Sequence, residues 1–232
     1  FVIPVKTVIQ YIITFLKTID TPTVCNAIEL LKVRSGAEGF TSNAVKCLYP
    51  ELGPMVGYAV TVQMETVTQM EPRDPNITMK FYEAIEASPN PVVIVIQEIG
   101  AYKEFAAHSG DVMTTLVQNF GAVGLITDCN VRDFNEVKPL GFHTFAAGLS
   151  ASHVNCRIAA VGVPVQVHGM TVRTGDIVHG DINGLVQVPR EKIEELPEKI
   201  AEVRKTEQDL MARVREGGFT LDDLRELLLG KK

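Results

Sequence analysis

Long apolar runs, paired cysteines and clusters of basic residues are all missing from this 232-residue chain. The most apolar stretch, VIQYIITFL, covers about half of the ~20 residues that a membrane helix needs, so we expect a core or amphipathic helix and no membrane partner. The four cysteines are scattered without a C-x-x-C pair, which argues against a disulfide framework or a cysteine zinc site and favours a reducing, cytoplasmic location. The sequence begins at Phe1, so we expect its numbering to start inside the natural chain or after processing.

Charge and composition narrow the class of protein further. The 22 basic and 28 acidic residues give a net charge of −6, and no basic cluster with interleaved aromatics is present, so nucleic acid is not an expected partner. A hydrophobic content of 46% with 22% charged residues is typical of one well-buried globular core.

The apolar spacing predicts an α/β order of elements. Two short helices are expected over residues 5–19 and 23–33, a strand over 57–63 and a helix over 76–87. The short apolar runs between 163 and 189, separated by glycine and aspartate turn signals, predict an antiparallel or mixed β-layer. One long charged helix is expected over residues 190–215.

The middle of the chain predicts a βαβ unit. The β-branched run PVVIVIQ at 91–97 is typical of a strand covered on both faces, and residues 111–120 and 123–127 follow as a helix and a second strand. Both strands of such a unit end at the same rim of the sheet, where ligands of open α/β sheets bind. Asp111 at the helix start and Arg132–Asp133 after the second strand are therefore expected to meet there.

This predicted meeting point has the chemistry of a site for small acids. The free backbone N–H groups of Val112 and Met113, at the positive end of the helix dipole, can bind a carboxylate, and Gly110 lets the backbone come close. An arginine fork binds or polarises the oxygens of acids and carbonyls, whereas two carboxylates can hold a hard divalent cation directly or through water. The residues thus indicate a small-acid site with a metal.

Structural explanations remain open for several of these residues. An aspartate at a helix start is commonly an N-cap, and Arg132–Asp133 taken alone could be a surface ion pair. His108, just before Gly110, could assist proton transfer or be polar packing. The other histidines lack the spacing of zinc ligands, and Cys129 has no base nearby in sequence, so packing is expected for it.

The pattern D-x20-R-D, carried in HSGDVMTTLVQNFGAVGLITDCNVRD and followed by GDIVHGDINGLVQVP, resembles the RraA-like family over roughly residues 20–220. That family includes the 4-hydroxy-4-methyl-2-oxoglutarate / 4-carboxy-4-hydroxy-2-oxoadipate aldolases. The resemblance implies a three-layer ββα swivelling domain with helical N- and C-terminal segments, assembled into homotrimers or homohexamers. We expect the core with its N-terminal helices to span residues 1–189, and residues 190–232 to form a helical extension at a subunit interface.

The resemblance also implies roles for individual residues. Asp133 matches the direct ligand of Mg²⁺, for which Mn²⁺ or another divalent metal could substitute, and Asp111 matches the carboxylate that holds metal-bound water. Arg132 matches the group that grips the substrate's oxygens, and Glu207, from a neighbouring subunit's C-terminal helix, is the candidate that completes the water network. Three residues match the loop whose backbone amides take the pyruvate carboxylate: Gly110, Val112 and Met113.

The function implied is that of a divalent-metal-dependent aldolase of the class II type. It would cleave 4-hydroxy-4-methyl-2-oxoglutarate-like 2-oxo acids to pyruvate and also decarboxylate oxaloacetate. The alternative is a non-catalytic RraA-like regulator of ribonuclease E; those members have lost the aspartate after the arginine, whereas this chain keeps Asp133. A phosphohistidine swivelling domain is a third interpretation, but no histidine is placed to carry the phosphate. The sequence does not predict the part of the substrate beyond its pyruvyl group.

Overall fold

The computed structural model describes residues 5–67 and 73–230, so Phe1 lies outside the described residues. The helices are α1 (Val5–Leu16), α2 (Thr21–Leu31), α3 (Pro75–Ala87), α4 (Asp111–Asn119), α5 (Phe134–Val137), α6 (Leu196–Arg215) and α7 (Leu221–Leu229). The first six strands are β1 (Lys46–Cys47), β2 (Met55–Val67), β3 (Val92–Glu98), β4 (Ala122–Thr127), β5 (Asn130–Val131) and β6 (His143–Ala146). The remaining strands are β7 (Gly148–Leu149), β8 (Asn155–Val161), β9 (Val165–Val167), β10 (Met170–Val172), β11 (Ile177–Asp181) and β12 (Gly184–Val188). None of the helices in these two ranges is long and apolar enough to cross a membrane.

The main sheet has the strand order β1-β6-β4-β3-β2-β11-β12, with β8 also paired to β2. Strands β2, β3, β4 and β6 are mutually parallel neighbours, whereas β1, β8, β11 and β12 pair antiparallel. The predicted βαβ unit is present as β3, α4 and β4, and the C-terminal ends of β3 and β4 therefore lie at the same rim.

Strand β3 shows how the layers are built, because its side chains are buried on both faces of the sheet. Val92, Ile94 and Ile96 pack into the cluster that contains helices α3 and α4. Val93 and Val95 point to the opposite face and pack against the β9–β10 hairpin. Helices, sheet and hairpin thus form successive layers, as expected for a β-branched run covered on both sides.

Helices α1 and α2 and the start of α6 form a third core cluster with β2, β11 and β12. Helix α2 begins as its sequence predicts: the Asp20 side chain accepts a hydrogen bond from the Thr23 amide at 2.9 Å, and Pro22 lies in the first turn. On α6, Leu196, Ile200 and Val203 are buried in this cluster, and most of the residues that follow are exposed.

The structure confirms the expected mixed α/β fold with helices at both ends, and it refines three regions. Residues 190–195 form a 3₁₀ helix before α6, so the predicted 190–215 helix is divided at its start. Strand β8 and helix α7 were not predicted. Helix α7 begins with a capping box between Thr220 and Asp223, a signal that the sequence does contain. The division into a 1–189 core and a 190–232 interface segment stays a prediction.

Candidate active site

Two loops at the shared C-terminal rim of β3 and β4 carry the predicted site residues. The loop 106–110 leads into α4, and the loop 128–133 follows β4. Three backbone hydrogen bonds hold the loops side by side: His108 N to Asn130 O at 3.0 Å, Asn130 N to Ala106 O at 3.2 Å, and Arg132 N to Ser109 O at 2.9 Å. This short ladder fixes which residue of one loop faces which residue of the other.

The carboxylate of Asp133 is the point at which the motif residues converge. Its Oδ2 lies 3.3 Å from the backbone nitrogen of Asp111 and 3.2 Å from Nε of Arg132. The backbone of Asp133 is left-handed, at φ 57° and ψ 42°, a conformation that aspartate tolerates better than most non-glycine residues. The side chains of Arg132 and Asp133 are 36% and 29% exposed, so the cluster is open to a ligand.

Gly110 makes this convergence sterically possible. A Cβ atom at this position would lie 2.1 Å from Oδ2 of Asp133 and 3.1 Å from Nε of Arg132. The Gly110 backbone is extended, at φ −137° and ψ −166°, so glycine is required here for space and not for an unusual dihedral angle. The sequence predicts that Gly110 lets the backbone come close to another group. In the structure, that group is the Asp133 carboxylate.

The start of α4 is partly available as an anion site. Gly110 is the N-cap and offers no side-chain acceptor, so the first amides depend on other partners. The Val112 amide donates to Oδ1 of Asp111 at 2.7 Å, which occupies one of the amides expected to hold a substrate carboxylate. Within the described part of the chain, the Met113 amide has no hydrogen-bond partner and is a free donor at the positive end of the helix.

A cavity of about 300 Å³ lies beside these residues, between the start of α4, helix α3 and strand β8. Its lining includes Asp111 and all four predicted substrate-binding residues, Gly110, Val112, Met113 and Arg132, but not Asp133. Side chains from distant parts of the chain contribute further charge, namely Arg73, Asp74 and Arg157. Both Nε and Nη2 of Arg157 bind Oε2 of Glu65, at 2.9 and 2.7 Å, which fixes the plane of its guanidinium group.

A fully buried polar cluster lies beneath the cavity. Oε2 of Glu98 is 2.7 Å from Nε2 of His108, and Oγ1 of Thr127 is 2.8 Å from Nδ1 of the same ring. The Cys129 Sγ atom lies 3.2 and 3.3 Å from the two ring nitrogens. Glu98, His108 and Cys129 offer ligand atoms within 4.8 Å of one another and form a group that could hold a metal ion.

The electrostatics of this cluster are set by burial and hydrogen bonding. Burial strongly raises the pKa of the Cys129 thiol, which keeps it protonated and makes it a poor nucleophile, in agreement with the packing role expected from the sequence. Burial alone would raise the Glu98 pKa, but the hydrogen bonds from His108, Thr66 and the Gly100 amide outweigh it and lower that pKa below its ordinary value.

Sequence reasoning missed Glu98, Thr127 and Asp128, although all three lie at or directly after the C-terminal end of a buried strand. Asp128 accepts the Glu98 amide at 2.8 Å and pairs with Lys103 at 2.5 Å, so it ties the two strand ends together. The sequence does contain a signal for these residues, namely a polar residue at the C-terminal end of a buried strand. Side chains at this rim face the ligand site of parallel sheets.

Glu207 lies away from this site within its own chain. It is exposed on α6, and its Oε1 accepts a hydrogen bond from Nδ2 of Asn26 on α2 at 3.2 Å. It is not among the residues that line the cavity. Its predicted contribution from a neighbouring subunit stays a prediction.

Comparison with known proteins gives related chains of similar length. A Halalkalibacterium halodurans protein named "Putative 4-hydroxy-4-methyl-2-oxoglutarate aldolase" is 28% identical over 204 residues, covering 88% of this chain and 87% of that protein. The crystal structure of an uncharacterized protein from Pseudomonas syringae pv. tomato superposes with a TM-score of 0.70 at 25% identity, covering 94% of each chain.

A second solved structure supports the fold alone, because its sequence identity is lower. Streptomyces coelicolor RraAS2, described as an unusual member of the RNase ES inhibitor RraA protein family, superposes with a TM-score of 0.66 at 22% identity. The alignment covers 88% of this chain and 96% of that one. The family model for RraA-like proteins (Aldolase/RraA) matches residues 21–187, from the start of α2 into the last strand, and so includes the whole candidate site. The chain therefore belongs to the RraA-like family.

Proposed function

We propose that this protein is a divalent-metal-dependent aldolase that cleaves 4-hydroxy-4-methyl-2-oxoglutarate-like 2-oxo acids to pyruvate and decarboxylates oxaloacetate. The observation that carries the proposal is the convergence of Asp111, Arg132 and Asp133 around Gly110 at the edge of a cavity. Membership of the Aldolase/RraA family and the similarity to a protein named as an aldolase of this kind support it.

The residues present fit a hard divalent cation at Asp133. Carboxylate oxygens are the ligands that Mg²⁺ and Mn²⁺ prefer, and the Asp133 side chain is partly exposed, with Asp111 as its neighbour. Because Gly110 has no Cβ, the Asp133 carboxylate can lie against the helix start. Asp133 would hold the metal directly and Asp111 through water; when bound, the metal would polarise the substrate's 2-oxo group.

The buried group of Glu98, His108 and Cys129 fits such a cation less well. Burial opposes ionisation of the thiol, and a metal there would replace the hydrogen bond between His108 and Glu98 that holds the two strand ends together. We therefore assign the metal to Asp133.

The chain's own groups account for binding and for stabilising the developing charge. The α4 start, with the free Met113 amide, receives the substrate's 1-carboxylate. Arg132, oriented through its Nε by Asp133, directs its remaining N–H groups to the 2-oxo oxygen, whose negative charge grows as the C3–C4 bond breaks. Asp111, directly or through one water, takes up the 4-hydroxyl proton, so that C4 leaves as the carbonyl carbon of one pyruvate, and the return of a proton to C3 of the enolate gives the second pyruvate.

The far wall of the cavity suggests where the rest of the substrate binds. Arg73 and Arg157 place two further guanidinium groups on the lining with the Asp74 carboxylate, and Arg157 is also paired with Glu65. A second acidic group on the substrate, as in 4-hydroxy-4-methyl-2-oxoglutarate and oxaloacetate, would meet this wall. Glu65 holds the Arg157 fork in one orientation, which lowers the entropy cost of such a contact.

The experiment is a coupled assay of pyruvate release from both substrates, with saturating Mg²⁺ and with excess EDTA. We expect activity to depend on the metal and Asp133→Asn to lower kcat by at least about 10²-fold while its thermal unfolding stays close to that of the wild type. Asp176→Asn is the matched control, because Asp176 lies in a turn where its Oδ2 accepts the Arg173 amide at 2.8 Å.

Undiminished activity in EDTA or in Asp133→Asn would contradict the proposal. Absence of both reactions in the wild-type protein would favour the alternative, a non-catalytic protein-binding regulator of the ribonuclease E type. Binding of the protein to purified ribonuclease E would then separate the two functions.

A further inference from the structure

His108 is the residue of the candidate site whose role the sequence left open, and its surroundings are unusually constrained. Its side chain is 0% exposed, and each ring nitrogen has a close oxygen partner: Nε2 faces Glu98 at the end of β3, and Nδ1 faces Thr127 at the end of β4. The ring therefore bridges the C-terminal ends of two parallel strands. A ring held at both nitrogens can neither rotate nor shift without breaking a buried hydrogen bond.

Glu98 is a rigid anchor for this ring. Its Oε1 accepts the amides of Thr66 at 2.7 Å and Gly100 at 2.8 Å, and its Oε2 accepts the Thr66 hydroxyl at 2.9 Å in addition to the contact with His108. Three separate segments thus meet on one carboxylate. Because these donors lie on β2 and just after β3, the position of the ring is set by the sheet and not by the loop.

The backbone of His108 connects the fixed ring to the residues of the site. The His108 amide binds Asn130 O, and the next residue, Ser109, accepts the Arg132 amide. Gly110 and Asp111 follow at once, and the Asp111 amide faces the Asp133 carboxylate. A change in the ring position would shift one loop along the other and misalign Asp111 with Arg132 and Asp133.

We propose that His108 is a positioning residue whose buried ring, held between Glu98 and Thr127, sets the register of the loop 106–110 against the loop 128–133. It acts through the backbone of Gly110 and Asp111 on the metal- and substrate-binding groups. The inference rests on the proposed metal site at Asp133.

The competing interpretation is that Glu98, His108 and Cys129 themselves bind the metal. A nitrogen of imidazole coordinates a metal through a lone pair in the ring plane, and both nitrogens already face Glu98 and Thr127. The Cys129 sulfur is nearly equidistant from the two nitrogens, at 3.2 and 3.3 Å, so it is not aligned with either one alone. Coordination through Nε2 would replace the hydrogen bond between His108 and Glu98, and the Cys129 thiol would have to ionise although burial raises its pKa.

The test compares His108→Ala and His108→Gln with His179→Ala. His179 is an equally buried histidine that hydrogen-bonds Thr21, Leu16 and Ile19 in the layer of the N-terminal helices, with ring nitrogen distances of 3.0 to 3.1 Å. Mn²⁺ affinity and stoichiometry would be measured by isothermal titration calorimetry, kcat and KM by pyruvate release, and thermal stability in parallel. Cys129→Ala tests the competing metal site.

We expect His108→Ala to keep one Mn²⁺ per chain but to lower its affinity, and kcat, by about 10- to 100-fold, with a smaller change in KM. His108→Gln, which restores a donor toward Glu98, should recover part of both losses. His179→Ala should lower thermal stability and leave kcat and Mn²⁺ affinity close to the wild type, and Cys129→Ala should retain the metal.

Wild-type Mn²⁺ affinity and kcat in His108→Ala, or equal losses in His179→Ala, would overturn the positioning role. Loss of the metal in Cys129→Ala would overturn it in favour of a buried metal centre. If the wild type binds Mn²⁺ but releases no pyruvate, the aldolase proposal fails, whereas the Mn²⁺ affinities of the two histidine variants still decide the inference. Where His108→Ala does not fold, His108→Gln against His179→Gln provides the same comparison.

Discussion

The substitution Gly110→Ala tests the candidate site through a single added methyl group. The alanine Cβ would lie 2.1 Å from Oδ2 of Asp133 and 3.1 Å from Nε of Arg132. The backbone of Gly110 is extended, so alanine adopts its dihedral angles without strain. The perturbation is thus directed at the two side chains that we propose hold the metal and the 2-oxo oxygen.

The size of the effect follows from the distance that must be gained. Carbon and oxygen atoms that are not bonded need roughly 3.2 Å or more, so the Asp133 carboxylate has to move by about 1 Å. A displacement of about 1 Å at a catalytic group costs on the order of 10²-fold in rate. We therefore expect kcat to fall about 100-fold and metal affinity to weaken, whereas the free energy of unfolding should change by no more than about 1–2 kcal/mol because the carboxylate is partly exposed.

The measurement combines pyruvate release, Mn²⁺ titration and urea unfolding of Gly110→Ala with those of Gly148→Ala. In this control the added Cβ meets only Oδ1 of Asn130, at 3.2 Å, so the same methyl group is added next to the same loop without touching the Asp133 carboxylate. A Gly110→Ala protein with wild-type kcat and Mn²⁺ affinity would refute the argument that Asp133 must sit against the helix start. Equal losses in both variants would attribute the effect to the loop in general.

Three further predictions concern charge, assembly and pH. Arg132→Lys keeps the positive charge but loses the planar fork, so kcat should fall about 10²–10³-fold with a smaller change in pyruvate binding; wild-type turnover would exclude a catalytic role. If the protein forms the predicted trimer or hexamer, Glu207→Gln should leave that assembly intact in light scattering and lower its activity, whereas a stable active wild-type monomer would contradict a site shared between subunits. Burial, with Lys17 as a smaller contribution, lowers the pKa of His143 from 6.5 to about 4. Between these values the unfolded chain gains a proton that the folded protein does not, so the free energy of unfolding should fall by up to about 3 kcal/mol as the pH drops, and urea unfolding of His143→Gln should show a smaller decrease.

The parts of the site that the sequence predicted are those governed by chain direction. In a βαβ unit, strand ends and helix starts share a rim whatever the side chains are, so the approach of Asp111 to Arg132 and Asp133 could be expected from spacing alone. The spacing could not show that Gly110 makes room for the Asp133 carboxylate. That requirement depends on the left-handed backbone at Asp133, which no local pattern indicates.

The second wall of the cavity could not be predicted because it depends on long-range strand pairing. Strand β8 reads NCRIAAV, a mixed pattern without clear alternation, and it becomes a strand through antiparallel pairing with the end of β2. This pairing brings Arg157 opposite Glu65 and onto the cavity. Strand propensity is largely a matter of such neighbours, so the sequence of β8 alone contains too little information.

His108 shows the same limit for a single side chain. Its partners Glu98 and Thr127 are 10 and 19 residues away along the chain and belong to different strands. A histidine in a loop is ordinarily expected to be solvated or to pack loosely, and its burial here is a consequence of the two strand ends between which it lies. A polar residue ending each buried strand was the one local indication that something polar had to fill the space between them.

The local geometry at the helix start favours a functional site over the N-cap interpretation of Asp111. Asp111 is the first residue of α4 and not its cap, and its Oδ1 accepts the adjacent Val112 amide. The cap position belongs to Gly110, where a serine or aspartate side chain would stabilise the helix somewhat better but would collide with the Asp133 carboxylate. Asp133 in turn adopts a left-handed backbone that costs on the order of 1 kcal/mol. A surface ion pair between Arg132 and Asp133 explains neither the missing cap nor the unusual backbone, whereas a site that needs the Asp133 carboxylate beside Gly110 is consistent with both.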